Sequence, residues 1–387
     1  MRRALPRFFA ILLSLCLAFP AAAQAADVSA HDAFVDAAFR AAKTVGGSLV
    51  VMKGGEVVYA RDWGYKDLTK GLAVDEDTAF RVGSVTKMVT GVGLLKLVEQ
   101  GKLDLDAGIG DYLGYPVAAP RWSRTPLTLR QLMSHTSSVT DDGGYSSLSS
   151  TVRGMLSKKA RAAANFTGDK PGSRYLYTNL GAGVAGALAE AVSGVSLDAL
   201  RRREVFAPLG IRAAYAASLL PDPSAVSGQY EDGRLYSSAA WQLAQGYEDF
   251  ADPERHYRTG IYSLWITSRD LARLAAALCA GGALDGARVL SPETVEMMKT
   301  PQHTLGKSVT GESPYGLFLE RRDDLLAGRT VWGHQGMTTG AICNAYFEPQ
   351  SGFTFVLLQN GGSKLRDRGV GKLARKLLTY TFGAFGE

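Results

Sequence analysis

Apolar positions along the chain change period several times, and each change marks an element. A helical spacing around Phe34, Ala38 and Ala41 comes first. Residues 48–53 and 56–63 then alternate or run apolar on either side of Gly54-Gly55, a two-residue hairpin signal. Beyond Arg81 the period lengthens. Val85, Met88, Val89, Val92, Leu95 and Val98 follow i, i+3, i+4, i+7 spacing, and Gly101 ends the pattern as a helix stop. Helical or loop-like sequence continues to about Gly210, clearest over 129–133 and 181–192, and a polar, irregular stretch covers roughly 220–256. Helical spacing returns at 268–279 and 292–298. Three late runs read as strands: 315–320, 340–347 and 353–359, the last two joined by Pro349-Gln350-Ser351-Gly352. A basic amphipathic helix over about 365–380 closes the chain, with one packing face and one solvated face.

Strands at both ends with helices between predict an α/β (α+β) fold: one antiparallel sheet built from N- and C-terminal segments and flanked by helices. The sheet regions are about 26–80 and 215–387, and the mostly helical subdomain inserted between them is about 81–214. A small-molecule site is expected in the cleft between the two.

Composition narrows the classes. With 387 residues, 46% hydrophobic and 21% charged, the chain is globular, neither disordered nor coiled coil. Arg2, Arg3 and Arg7 precede an apolar run over 8–19, and Ala23-Gln24-Ala25 follows. That is the charged, apolar and A-x-A pattern of a secretory signal over residues 1–25, leaving 26–387 as the mature domain. The run is shorter than the roughly 20 residues a membrane span needs. The mature product is therefore expected to be exported, periplasmic or extracellular, with no stable membrane span. Without the three arginines the formal charge of +6 falls to +3, and no basic run with interleaved aromatics remains, which argues against nucleic acid. Cys279 and Cys343 lie in apolar runs and read as buried thiols, although spacing leaves a pairing open.

No H-E-x-x-H, G-x-S-x-G or phosphate-loop signature occurs, and the five histidines are scattered. No metal or cofactor is implied. Ser84-Val85-Thr86-Lys87 is present at the start of a helical pattern. Positions i and i+3 share a helix face, so the hydroxyl and amine can meet, and a desolvated lysine can serve as the base that a serine nucleophile needs. Alone the tetrad is weak, since about one S-x-x-K is expected by chance in a chain of this size. Tyr177-Thr178-Asn179 opens a small-residue helix, where a phenol can share proton transfer with Lys87 and an amide can orient both. His334-Gln335-Gly336 precedes a strand-like run, and a glycine on an edge strand lets a substrate backbone approach.

Serine helix, Tyr-x-Asn turn and His-x-Gly strand, in that order, resemble the serine penicillin-recognising family. The likeness is to its class C β-lactamase-like branch, which includes D-Ala-D-Ala carboxypeptidases, D-aminopeptidases and related esterases. Residues 80–87, 97–105, 129–137, 206–210 and 267–271 extend it from about Gly46 to the C-terminus. The resemblance implies a β-lactamase/transpeptidase-like fold and an acyl-enzyme mechanism. Ser84 would be the nucleophile, Lys87 and Tyr177 would share the base and acid work, and Asn179 would position substrate and Lys87. The N–H groups of Ser84 and Met337 would form the oxyanion hole. His334 and Gly336 would stand in the third motif, where β-lactamases carry a lysine of K-[ST]-G. His334 and Gln335 remove carboxylate contacts, and Glu320 falls about where some carboxypeptidases present an arginine, so a dedicated β-lactamase is disfavoured. The implied function is cleavage of a small amide or ester, foremost on D-amino-acid peptides, with a peptide or small-molecule substrate that includes peptidoglycan-derived ones. Carboxylesterase and β-lactamase action are the alternatives on the same site, and a non-catalytic penicillin-binding sensor is the alternative of another class. A catalytic His334, acting by its charge or by donating to Tyr177, would add a group titrating near pH 6 to 7.

Overall fold

The computed structural model describes residues 28–146, 150–157, 163–247, 249–302 and 314–387; the signal-type segment 1–25 lies outside them. Strands β1 (Gly46–Lys53) and β2 (Glu56–Asp67) form the expected hairpin. Gly54 and Gly55 hold φ of 60° and 91°, the mirror-image turn whose twist suits a two-residue connection, and Lys53 faces Glu56. A short β3 (Leu72–Ala73) lies beside β2. The late strands are β4 (Glu320–Leu326), β5 (Arg329–Thr338), β6 (Ala341–Glu348) and β7 (Phe353–Gln359). All neighbours pair antiparallel in the order β4-β5-β6-β7-β1-β2-β3. The two chain ends join where β7 runs along β1, from Gly47 opposite Gln359 to Lys53 opposite Phe353.

Both faces of this sheet are covered, which is why β1 reads as a near-continuous apolar run. Five helices matter for the argument: α1 (Ser29–Ala41), α2 (Val85–Glu99), α3 (Asn179–Ser193), α4 (Ser268–Cys279) and α5 (Lys372–Phe385). Leu49 and Val51 join Phe355 and Leu357 on one face and pack with Val35 and Phe39 of α1 and Leu377 and Leu378 of α5. Val50 and Met52 turn to the other face and enter the large core with α2, α3 and α4. Each fully buried Val or Leu contributes about 1.5–3 kcal/mol, so a one-residue register slip in β1 would exchange the two cores at a prohibitive cost. Helix α2 is buried almost all round, Thr86, Thr90 and Gly91 included. Its periodicity implied a single apolar face. The intervening polar residues are short enough to be enclosed, and Thr86 Oγ1 accepts the Leu264 N–H.

Three sequence expectations shift. Residues 315–319 do not extend as a strand. Phe318 takes φ of 53°, and the Leu317 and Phe318 amides donate to the Met298 and Met133 carbonyls at helix ends, so β4 starts only at Glu320. His334 lies inside β5 rather than before a strand; Gly333 and Gly336 blunt the strand pattern there. The C-terminal helix begins at Lys372, because residues 366–371 fold back as a tight hairpin with Arg368 and Gly369 at positive φ. Cys279 and Cys343 are separate free thiols. Among the described residues, no single helix is long and apolar enough to cross a membrane.

Candidate active site

The site forms where β5 meets the start of α2. Gly83 holds φ of 54°, and a Cβ there would sit 3.1 Å from the Met337 nitrogen. A Cβ on Gly336 would sit 2.0 Å from the Val82 carbonyl oxygen and 3.0 Å from the Ser84 nitrogen. The two glycines thus let strand and helix backbones touch. This corrects the expectation for Gly336: its missing side chain makes room for α2, not for substrate. The free edge of β5 follows from the pairing. β4 ends its ladder with Glu320 opposite Gly333, and the Arg321 amide donates away from β5, to Pro314. Backbone groups alternate sides along a strand, so Gly333, Gln335 and Met337 turn theirs toward the β4 side. Beyond Gly333 no strand among the described residues covers that edge, and the Met337 N–H faces the start of α2. There Ser84, the N-cap, offers a second N–H at the positive end of the helix dipole.

One turn on, Lys87 is completely buried. Its Nζ donates to Ser84 Oγ at 2.9 Å, to Asn179 Oδ1 at 2.9 Å and to the Ile261 carbonyl at 3.3 Å. Burial lowers its pKa to about 7, against an upward pull from Asp141. Asp141, unmarked in the sequence, organises this corner. Its carboxylate accepts from Thr178 Oγ1 at 2.7 Å, from the amides of Asn179 and Leu180, and from Asn179 Nδ2 at 3.0 Å. The last bond, with a second from Nδ2 to Tyr145 Oη at 3.1 Å, leaves Asn179 only its oxygen to face Lys87. Because the same carboxylate caps α3, the helix and the amide are oriented together.

Tyr177 forms the facing wall, with Lys87 Nζ 5.0 Å from its ring centroid. The ring is 37% exposed to the cleft. Its hydroxyl end is turned inward, where burial raises its pKa and a hydrogen bond with Ser84 opposes the rise. His135, at φ of 57°, packs against the Tyr177 ring with centroids 4.3 Å apart and planes tilted by 35°, and its Nδ1 accepts the Thr178 N–H at 3.3 Å. The segment 129–137 was conspicuous in the sequence, but nothing in its spacing revealed that His135 props the tyrosine.

His334 is buried and neutral, its pKa lowered to about 3 by burial and then by Lys87. Its Nδ1 lies 2.6 Å from the Gln335 carbonyl, which can only accept, so Nδ1 carries the proton. Nε2 therefore accepts from Tyr315 Oη at 2.7 Å. Both expectations for His334 change as a result: the ring supplies no charge near neutral pH and has no N–H to offer Tyr177. Desolvation outweighs the intrinsic basicity of imidazole here.

Ser84, Tyr177, Asn179, His334 and Met337 line one cleft of about 840 Å³, with Lys87 beneath its floor and Gly336 inside the β5–α2 contact. Glu320 also lines it, but its Oε1 lies 3.1 Å from buried Arg322 Nη1 and its Oε2 accepts from Tyr346 Oη at 3.2 Å. Among the described residues, no group of three His, Cys, Asp or Glu side chains is placed to hold a metal ion. A serine beside a lysine half free of its proton, a protonated tyrosine across the cleft and two convergent N–H groups can transfer an acyl group to and from Ser84.

The chain is similar to known proteins along most of its length. The chain is 29% identical to esterase EstB of Burkholderia gladioli over 378 residues, covering 85% of this chain and 93% of that one. It is 31% identical to penicillin-binding protein 4 of Amycolatopsis lactamdurans over 309 residues, 76% of this chain and 74% of that one. Among solved structures, the D-amino acid amidase of Ochrobactrum anthropi SV3 superposes with a TM-score of 0.67 at 22% identity, over 90% of this chain and 95% of the amidase. A penicillin-binding protein homologue from Pyrococcus abyssi gives 0.71 at 22% identity, over 92% and 78%. At those identities the superpositions establish the fold. The sequence profile of the Beta-lactamase family matches residues 31–380, and the chain belongs to that family of serine hydrolases.

Proposed function

We propose that this chain is an exported hydrolase of small esters and amides with an uncharged leaving group, working through a Ser84 acyl-enzyme. The observation that carries the reading is the Ser84–Lys87–Asn179 chain of 2.9 Å contacts around an amine whose pKa is about 7. Lys87 takes the Ser84 proton as Oγ bonds to the substrate carbonyl carbon, and the oxyanion sits between the Ser84 and Met337 N–H groups. Tyr177, held protonated, gives its proton to the departing oxygen or nitrogen and recovers one from Lys87. Water then attacks the acyl carbon by the reverse route and frees Ser84.

Ester or simple amide cleavage ranks ahead of carboxypeptidase action because a free terminal carboxylate on the leaving group needs a cation beside Tyr177. At that end of the cleft the strand presents Glu320, whose charge is already matched by Arg322. The extent of the match to an esterase supports the same order. Export rests on the charged, apolar and A-x-A pattern of residues 1–25.

A panel of p-nitrophenyl esters, D- and L-amino-acid p-nitroanilides, a D-Ala-D-Ala peptide and a chromogenic cephalosporin tests the reading. Within this panel the p-nitrophenyl esters should be turned over fastest, and Ser84→Ala should abolish turnover while leaving secondary structure near wild type. A fluorophosphonate adduct should map to the peptide containing Ser84. Loss of less than about 100-fold in Ser84→Ala, or labelling elsewhere, would refute the mechanism.

A further inference from the structure

Among the described residues, two cations in the cleft have no acid opposite them. Arg81 ends the short strand Phe80–Arg81, three residues before Ser84, and Arg366 stands on the hairpin that precedes α5. The Arg81 guanidinium lies 5.2 Å from the centroid of Tyr262, and its Nε donates to the Tyr262 carbonyl at 3.2 Å. Arg366 Nη2 approaches Met337 Sδ at 4.0 Å. Among the described residues, no carboxylate lies within ion-pair distance of either group. The acids that do reach the site are committed elsewhere: Asp141 to the donors at the start of α3, Glu320 to Arg322. A guanidinium keeps its charge at any working pH and presents a planar fork matched to a carboxylate. Arg81 is half-buried, with one face against the Tyr262 ring, and among the described residues its side chain donates only through Nε, so the outer nitrogens of its fork are open to a ligand in the cleft.

Its place in the cleft tells which part of a substrate it meets. Tyr177 packs with His135, Tyr315 and His334, whereas Arg81 packs with Tyr262. Among the described residues the two sets share no ring contact, and both line the cleft with Ser84. The leaving group departs toward Tyr177, which protonates it, so the acyl portion extends toward Arg81. We infer that Arg81, with Arg366 at the mouth, receives a carboxylate carried on the acyl portion, and that Ser84 is acylated best by monoesters or monoamides of dicarboxylic acids and similarly acidic acyl groups. This rests on the Ser84 acyl-enzyme proposed above and adds its substrate class.

The test compares p-nitrophenyl hydrogen glutarate with p-nitrophenyl pentanoate, equal in acyl length and differing in one terminal carboxylate. Wild type should favour the glutarate monoester by about tenfold or more in kcat/KM, mostly through KM, and the preference should shrink as salt is raised. Arg81→Gln should bring the ratio to about one, Arg81→Lys should retain part of it, and Arg366→Ala, on the surface, should reduce it without threatening the fold. Turnover of both esters with no preference in wild type, or a preference unchanged in Arg81→Gln and Arg366→Ala, overturns the inference and leaves the hydrolase reading standing. Absence of Ser84-dependent turnover of either ester overturns the hydrolase reading, and this inference with it.

Discussion

Lys87 should set the pH at which the enzyme works. Its pKa of about 7 means that half the molecules hold a free amine at pH 7 and about a tenth at pH 6. The pKa is lowered from that of a solvated lysine, so the base is present above pH 7 and lost below it. For a neutral ester, kcat/KM should fall about tenfold per unit below pH 7 and level off above about pH 8. His334→Gln should leave this limb in place, because the ring is already neutral throughout the range. Asp141→Asn should move the limb to lower pH, because Asp141 is the charge that holds the Lys87 pKa up. Two unit charges bridged by one amide side chain couple by roughly 2 kcal/mol at an effective dielectric of about 20, which corresponds to about one pH unit or more. The assay is p-nitrophenyl ester hydrolysis followed at the isosbestic wavelength of p-nitrophenol, with each variant checked for native secondary structure. A limb near pH 6 to 7 that disappears in His334→Gln and stays put in Asp141→Asn would refute the assignment of Lys87 as base and return the role to the imidazole.

Lys87→Ala and Tyr177→Phe should each lower kcat by about 100-fold or more. The double variant should lose far less than the product of the two, since they move one proton in sequence; full additivity in single-turnover measurements would make one of them merely structural. Gly336→Ala places a methyl 2.0 Å from the Val82 carbonyl and 3.0 Å from the Ser84 nitrogen, so β5 must retreat from α2. It should cost about 1–3 kcal/mol of stability by thermal unfolding and about 100-fold in kcat as the Met337 N–H moves off the oxyanion. Wild-type kcat in a stable Gly336→Ala protein would remove Met337 from the oxyanion hole.

The local pattern of residues was enough for the hairpin at Gly54-Gly55, the helix after Ser84 and the strands around 343 and 356. Each depends on periodicity or turn chemistry within a dozen residues. Ser84 and Lys87 could be paired for the same reason, since one helical turn brings them together, but it was the resemblance to a known family that singled them out together with Tyr177 and Asn179. Relations between distant segments carried no such signal. Asp141 reads as an ordinary loop acid until the fold sets it against the first amides of α3, where it orients Asn179 toward Lys87. His135 acquires its role only by packing against a tyrosine 42 positions away. Gly336 looked like room for a substrate, and the packing of β5 on α2 claimed that room for the enzyme's own backbone. Protonation states belong with these. A sequence states the intrinsic basicity of lysine and imidazole, but burial is a property of the assembled core, and here it brings Lys87 down to about 7 and His334 to about 3. Which of the two is poised to act as a base near neutral pH therefore depends on desolvation in the folded chain, because removing a cation from water costs more than the few pH units that separate the residue types.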